Sequence, residues 1–349
     1  MRSGVRTRVS HPRFLPFPSP VPPGKERVPS PIILETTVYR TILIPLDGSR
    51  FGEHALPWGL AVAQRTGAGV QLATVADLAP RGGSPSGDTW VPGEETRERG
   101  IALAEQYLKE TAERVRSTGF DGELGWTVIP PGNVAAALVR HVAKVEADFT
   151  VMTTHGRGPL QRAWLGSSAD GFIRRSPTPV LLVRPEPAEN GDEGFPLEPL
   201  PDFPRRVLLP LDGSPAGERL VEVTPAVAAT DATFLLVRVI PPLLPGGSPY
   251  LPHVVREAED QERVRTAARE YLEGVASRFQ SGDTEVRVPT AGQPGEAILD
   301  LAEEEDVDLI AMSTSGRGGV ARLLLGSVAD KVIRGASCPI LLFRDPEGT

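Results

Sequence analysis

Cysteine is almost missing from this chain: Cys338 is the single one in 349 residues. A lone thiol cannot close an internal disulfide or complete a cysteine-based zinc site. Its place before Pro339 and the apolar run Ile340-Leu341-Leu342-Phe343 reads as a small, half-buried side chain at a strand start, in preference to a reactive nucleophile. Histidine is scarce as well, with five scattered residues and no H-x3-H or His/Glu cluster to hold a metal. No apolar stretch approaches the roughly 20 residues that a membrane span needs. No G-x4-G-K-S/T motif supports P-loop phosphoryl transfer. Basic charge is also in deficit, 37 Lys and Arg against 45 Asp and Glu, for a net charge of −8. That balance argues against a general nucleic-acid binder, which needs basic surface to displace counterions from phosphates. A small anionic ligand stays open, because helix N-termini and backbone N–H groups bind phosphate without net positive charge. The expectation is a cytoplasmic chain with neither nucleic acid nor membrane as a partner.

Proline, by contrast, is concentrated where it excludes structure. Residues 1–37 carry Pro12, Pro16, Pro18, Pro20, Pro22, Pro23, Pro29 and Pro31 among basic residues such as Arg2, Arg6 and Arg8. Proline removes backbone donors and fixes φ, so this segment enters neither a helix nor a central strand. It lacks the continuous apolar core of a signal peptide. It reads as a disordered tail, with a start site set too far upstream as the alternative.

The rest of the chain repeats itself. Ile44-Pro45-Leu46-Asp47-Gly48-Ser49 recurs as Leu209-Pro210-Leu211-Asp212-Gly213-Ser214, and Thr154-His155-Gly156-Arg157-Gly158 as Thr314-Ser315-Gly316-Arg317-Gly318. Leu165-Gly166-Ser167-Ser168-Ala169-Asp170 recurs as Leu325-Gly326-Ser327-Val328-Ala329-Asp330. Pro179–Arg184 and Pro339–Arg344 close the two copies in the same order. Two domains follow, 38–185 and 205–345, joined by a segment 186–204 whose Pro, Glu and Gly content is that of a linker with little capacity for burial.

Within the first copy, apolar strand patterns at Val38–Leu46, Val70–Ala76, Leu124–Ile129, Asp148–Thr153 and Val180–Val183 alternate with helical ones. The helices are expected at Gly52–Arg65, Glu94–Ser117, Asn133–Val145 and Ser168–Arg175, with a Gly/Pro/Ser loop at Pro80–Gly93. The second copy repeats this order from Arg206 to Arg344, with its own Pro/Gly loop at Pro241–Pro252. Alternating β and α elements with strands apolar throughout imply an α/β fold of two tandem, doubly wound, five-stranded parallel sheets. Ligands in such sheets sit beyond the carboxyl ends of the strands, at the switch point, which is where the repeated polar motifs fall.

Gly156-Arg157-Gly158 follows a strand directly, which suits backbone that must pass close to a ligand. Gly166-Ser167 then opens a helix whose free N–H groups and dipole point at the same spot, and the Ser167 hydroxyl adds a donor. Gly316, Arg317, Gly318, Gly326 and Ser327 supply the same parts in the second copy. Asp47 and Asp212, at the ends of the first strands, can accept from ribose hydroxyls; equally, Asp47-Gly48-Ser49 can be a turn and N-cap, and Gly156-Arg157-Gly158 a tight connection. Other polar residues carry less. His155 has Ser315 in its place in the second copy, Trp164 aligns with Leu324, and Glu303-Glu304-Glu305-Asp306 reads as a solvated helix end. No general base recurs in both copies beside the phosphate loop.

At these residues the chain resembles the universal stress protein family, in particular its ATP-binding subgroup marked by G-x2-G-x9-G-S/T with an Asp ending strand one. Gly156-x9-Gly166-Ser167 and Gly316-x9-Gly326-Ser327 keep the later part of that pattern, and the likeness spans the chain apart from tail and linker. The resemblance implies a Rossmann-like, adenine nucleotide alpha hydrolase-like fold. It also implies ATP or AMP as ligand, with or without Mg, Asp47 and Asp212 facing the ribose, and the Gly and Ser positions, with Ser168 and Val328, holding phosphates. Backbone at Val75 and Val239, the ends of the second strands, would meet adenine. The pattern's first Gly is Thr153 in one copy and Ser313 in the other, and a Cβ there is expected to narrow the site, more so for β-branched Thr153. The resemblance further implies a stress-response protein acting by nucleotide-dependent regulation and no catalysis beyond weak ATP hydrolysis, with a scaffold that binds no nucleotide as the alternative. The last strands, exposed apolar edges, are expected to pair with each other inside one chain as a pseudo-dimer, with a homodimer left open.

Overall fold

Valine, isoleucine and leucine fill the strand segments with little polar alternation, so most strands need cover on both faces. The computed structural model describes residues 39–76, 93–154, 165–184, 196–242, 253–314 and 325–344. The whole of the expected tail, nearly all of the two Gly/Pro loops, part of the linker, and residues 155–164 and 315–324 lie outside the described residues. The first half contributes β1 (Thr41–Pro45), β2 (Gly69–Val75), β3 (Leu124–Ile129), β4 (Phe149–Thr153) and β5 (Val180–Val183). The second contributes β6 (Arg206–Pro210), β7 (Thr233–Val237), β8 (Asp283–Arg287), β9 (Leu309–Ser313) and β10 (Ile340–Phe343). They form a ten-stranded sheet in the order β3-β2-β1-β4-β5-β10-β9-β6-β7-β8.

Each half is parallel throughout, and the join is antiparallel: Ile340 faces Leu182, Leu341 faces Leu181 and Leu342 faces Val180. The expected intramolecular pairing of the last strands is therefore present, and it merges two five-stranded sheets into one. Pairing satisfies the backbone groups that either half alone would leave on an apolar edge.

The helices of the first half are α1 (Arg50–Glu53), α2 (Ala55–Thr66), α3 (Glu94–Ser117), α4 (Val134–Lys144) and α5 (Ser167–Ile173). Those of the second are α6 (Pro215–Glu218), α7 (Leu220–Val223), α8 (His253–Ala276), α9 (Pro294–Glu304) and α10 (Ser327–Gly335). Two cores result, one on each face, and each crosses the junction. Ile42, Ile44, Leu181, Val183, Leu341, Phe343, Val207 and Leu209 point to the face covered by α2, α3, α7 and α8. Leu43, Val180, Leu182, Ile340, Leu342 and Leu208 point to the other, under α4, α5, α9 and α10. This is the two-residue period of a strand read across a sheet that does not stop at the domain boundary.

Polar contacts also tie the halves. The Tyr39 hydroxyl donates to the Val223 carbonyl at 3.4 Å. The Arg65 guanidinium donates to the carbonyls of Ala228 and Pro225 and lies over the Phe203 ring, 4.5 Å from its centroid. Arg344 Nη1 donates to the Arg174 carbonyl at 2.7 Å.

Three elements differ from expectation. The first helix of copy one is split at His54 into α1 and α2. Its counterpart in copy two is broken further, into α6, α7 and a 3-10 turn at Thr224–Val227, where Pro225 has no N–H to continue a helix. The linker is not free of the core: Leu197 is buried, and Leu200 and Phe203 pack against the same core as α2. No helix among the described residues is long and apolar enough to cross a membrane.

One buried group stands out in the packing. His141 on α4 is 5% exposed and its Nε2 has no hydrogen-bond partner among the described residues. The repeat puts Leu301, at the 160-residue offset, in the same place in α9. Burial, with Lys144 adding to it, lowers the imidazole below its usual range. A lowered folded value means the stability is complete above the unfolded pKa of about 6.5 and falls as pH drops below it. His141→Leu is therefore expected to raise stability, with a gain that grows between pH 7 and pH 5. Thermal melts across that range check this; a gain that shrinks on acidification would contradict it.

Candidate functional site

In both halves the strand order reverses between the first and fourth strands, β1 and β4 or β6 and β9, which is where a doubly wound sheet opens a crevice. Asp47 leaves β1 into that crevice. Its Oδ1 accepts from the Ser49 N–H at 2.9 Å and from the Ser49 hydroxyl at 2.5 Å, while Ser49 Oγ accepts from the Gly52 N–H at 3.1 Å and caps α1. Asp212 repeats the arrangement: its Oδ1 accepts from the Ser214 N–H at 2.9 Å, and Ser214 Oγ accepts from the Gly217 N–H at 3.2 Å. Gly48 and Gly213 have φ of 72° and 82°, the left-handed region that such a turn requires and that a Cβ disfavours. The turn-and-cap reading of this motif is thus realised, and it fixes where each carboxylate points.

Across the crevice, β4 ends at Thr153 and the next residue, Thr154, accepts from the Gly166 N–H at 2.8 Å. Thr314 accepts from the Gly326 N–H at 3.0 Å in the second half. These bonds pin the two ends of each glycine loop together, so Gly166 and Gly326 open α5 and α10 as N-caps at fixed positions. Neither cap has a side-chain hydrogen bond. Ser167 and Ser168, or Ser327 and Val328, form the first helical positions.

Gly166 and Gly326 have ordinary φ values of −66° and −61°. Among the described residues, a Cβ built on Gly166 would meet only the Thr154 carbonyl oxygen at 3.5 Å, and one on Gly326 only that of Thr314 at 3.4 Å. Backbone conformation and the described neighbours therefore do not demand glycine at either cap.

Thr153 is 8% exposed on β4, while Ser313 at the same position of β9 is half-buried. Val75 is the last residue of β2. Val239 corresponds to it in register, since Ala73 faces Pro45 and Val237 faces Pro210, but β7 already ends at Val237. Val239 thus lies beyond the strand, before the isolated bridge of Ile240 with Thr290. Gly156, Arg157, Gly158, Gly316, Arg317 and Gly318 lie outside the described residues. Among the described residues no group of three or more His, Cys, Asp or Glu is placed to hold a metal. Cys338 is half-buried, and burial pushes its thiol up to about 11, which keeps it protonated at neutral pH. A concavity of about 300 Å³ between α3 and β3, lined by residues including Lys109, Arg116 and Trp126, lies toward the amino end of the strand, away from the crevice.

A second constellation lies beside the crevice, outside the motifs quoted above. The Tyr107 hydroxyl donates to Glu53 Oε1 at 3.2 Å and Arg114 Nη1 to Glu53 Oε2 at 3.0 Å. Arg278 Nη1 donates to Glu218 Oε2 at 2.9 Å. The signal was available, because Asp47-Gly48-Ser49-x2-Gly52-Glu53 recurs as Asp212-Gly213-Ser214-x2-Gly217-Glu218, and Tyr107-Leu108 and Arg114 recur as Tyr271-Leu272 and Arg278.

Comparison with known proteins places this architecture. Residues 38–184 and 204–344 match the sequence profile described as the universal stress protein family. A universal stress protein of Mycobacterium tuberculosis is 27% identical over 311 residues, covering 87% of this chain and 96% of its own. One from Thermus aquaticus is 37% identical over 145 residues, which is 40% of this chain and 98% of that protein. A solved universal stress protein from Archaeoglobus fulgidus shares the fold with a TM-score of 0.57, over 87% of this chain and 98% of that chain, at 20% identity. The chain belongs to the universal stress protein family and carries two family domains in tandem.

Proposed function

We propose that each half binds an adenine nucleotide, ATP or AMP, at its crevice, and that occupancy regulates the protein's role in the stress response. The observation that carries this reading is the pair of helix-opening glycines, Gly166 and Gly326, which have ordinary φ and where, among the described residues, an added Cβ would meet only a carbonyl oxygen. Backbone N–H groups at the start of α5 and α10, with Ser167 and Ser327, receive the phosphates together with Gly156, Arg157, Gly158 and their counterparts Gly316, Arg317 and Gly318. Asp47 and Asp212 accept from the ribose hydroxyls, and backbone at Val75 and Val239 meets the base. The second half is the stronger site, because Ser313 intrudes less than β-branched Thr153. The output is binding rather than turnover.

Isothermal titration of ATP and of AMP into nucleotide-stripped protein tests this, with Gly166→Ala and Gly326→Ala alongside. Micromolar binding is expected, weakened more than about tenfold in the affected half, with Gly326→Ala removing the larger share. Both variants are expected to stay folded, since Gly→Ala at an N-cap costs about 1 kcal/mol or less. No heat in the wild-type protein, with a melting temperature unmoved by excess ATP, would replace this reading with that of a scaffold acting through protein contacts. Thr153 is the residue that favours that second reading.

A further inference from the structure

The carboxylate of Glu53 is buried, its side chain 6% exposed, and a buried carboxylate is stable only when its lone pairs are met. Tyr107 and Arg114, both on α3, meet them. A four-residue helix such as α1 has little stability of its own, so this anchorage decides how α1 sits. The Asp47 carboxylate rests on α1: a Cβ on Gly52 would come within 2.6 Å of Asp47 Oδ1, and the Glu53 N–H donates to the Ser49 carbonyl at 3.3 Å. Glu53, Gly52, Ser49 and Asp47 are thus one mechanical unit, tied to α3 at one end and presenting a carboxylate to the crevice at the other. Burial raises the Tyr107 phenol far above the usual range, and the charge of Glu53 and, more weakly, of Asp47 adds to it, which places Tyr107 close to both ends of this unit.

The second half has the same parts in a slacker arrangement. The Glu218 side chain is 34% exposed and Arg278 is shared with Glu222 at 3.8 Å. Tyr271's hydroxyl is buried beside Glu218 without a hydrogen bond of ordinary geometry. Its ring lies under Arg238, 4.9 Å from the guanidinium carbon. A Cβ on Gly217 would stand 3.5 Å from Asp212 Oδ1, against 2.6 Å in the first half.

We infer that Glu53, Tyr107 and Arg114 are positioning residues that set the direction of Asp47, and that Glu218, Tyr271 and Arg278 hold Asp212 more loosely. On the nucleotide reading above, on which this rests, ribose recognition in each half is then governed from the long helix α3 or α8.

Two measurements separate the inference from that reading. Without ligand, hydrogen exchange followed by mass spectrometry on the full chain should show faster exchange over residues 46–53 in Tyr107→Phe. A smaller change is expected over residues 211–218 in Tyr271→Phe. Unchanged exchange over residues 46–53 in Tyr107→Phe would overturn the positioning role whatever the chain binds. With ligand, the Tyr107→Phe/Tyr271→Phe double variant should bind ATP about fivefold more weakly, the effect of one lost hydrogen bond, while its affinity for 2′,3′-dideoxy-ATP stays at the wild-type value. Equal losses for both nucleotides would mean a merely structural role. A wild-type protein that binds neither nucleotide would remove the nucleotide reading and the ribose part of this inference, and the exchange data would still judge the mechanical part.

Discussion

Leu341→Ala is expected to lower the stability of the whole chain by about 2–5 kcal/mol and to shift the unfolding of the first half together with that of the second. Leu341 is fully buried, faces Leu181 across the antiparallel junction, and belongs to a core that runs through Ile42 and Ile44 on one side and Val207 and Leu209 on the other. Deleting its side chain removes transfer energy and opens a cavity, which neighbouring strands can close only by shifting the junction. The chain is well suited to the measurement, because Trp58, Trp90, Trp126 and Trp164 all belong to the first half while Leu341 belongs to the second. Tryptophan fluorescence in urea therefore reports the half that carries no substitution. The continuous sheet predicts that this transition moves with the far-ultraviolet circular dichroism. A tryptophan transition that keeps its wild-type midpoint would show two halves that unfold independently and would refute a shared core.

Gly282→Ala should cost a similar amount, about 2–5 kcal/mol, for a different reason. Gly282 sits at φ 79°, between α8 and β8, where a Cβ adds roughly 1–2 kcal/mol of backbone strain. The same Cβ would lie 2.3 Å from the Ala232 carbonyl oxygen and 2.8 Å from Phe234 Cε2. Overpacking of that kind adds about 1–3 kcal/mol. Neither neighbour gives way easily. The Ala232 carbonyl accepts from the Asp283 N–H at 3.0 Å and starts the β7–β8 ladder. Phe234 is 1% exposed and packs on Phe279 with ring centroids 4.4 Å apart. Gly119 is the matched control: its φ is 82°, with nothing among the described residues within 4 Å of an added Cβ, so Gly119→Ala should lose only the backbone part. Urea midpoints at constant m-value give both numbers. Equal losses for the two variants would show that crowding at Gly282 is relieved without cost.

Much of this architecture is legible in one dimension because it depends on local period and on repetition. The strands are mostly short apolar runs bounded by turn residues, so β3 and β5 are found to the residue, and the amphipathic period of α3 marks Glu94 to Ser117 without error. Repetition does more, since it places Asp47 and Asp212, and Gly166 and Gly326, at equivalent strand and helix ends and so makes a crevice of separate motifs. The apolar character of Val180–Val183 and Ile340–Phe343 is enough to expect that two edges seek each other.

What the tertiary structure alone decides involves residues far apart in sequence. The repeat marks Glu53, Tyr107 and Arg114 as recurring residues, but they stand 54 and 61 residues apart, and only folding makes them one buried network beside Asp47. Leu197, Leu200 and Phe203 read as part of a linker because Pro, Glu and Gly dominate their neighbours, yet each finds an apolar surface that α2 and the second half build only when docked. Whether Gly166 is a glycine for its backbone or for the space around it is likewise invisible in the sequence, which records a residue's identity and not the atoms a Cβ would meet. Period and repetition are properties of a line, and burial, register across the junction and the contents of a crevice are properties of a closed surface. The former followed from the residues in order; the latter existed only once the ten strands had been placed side by side.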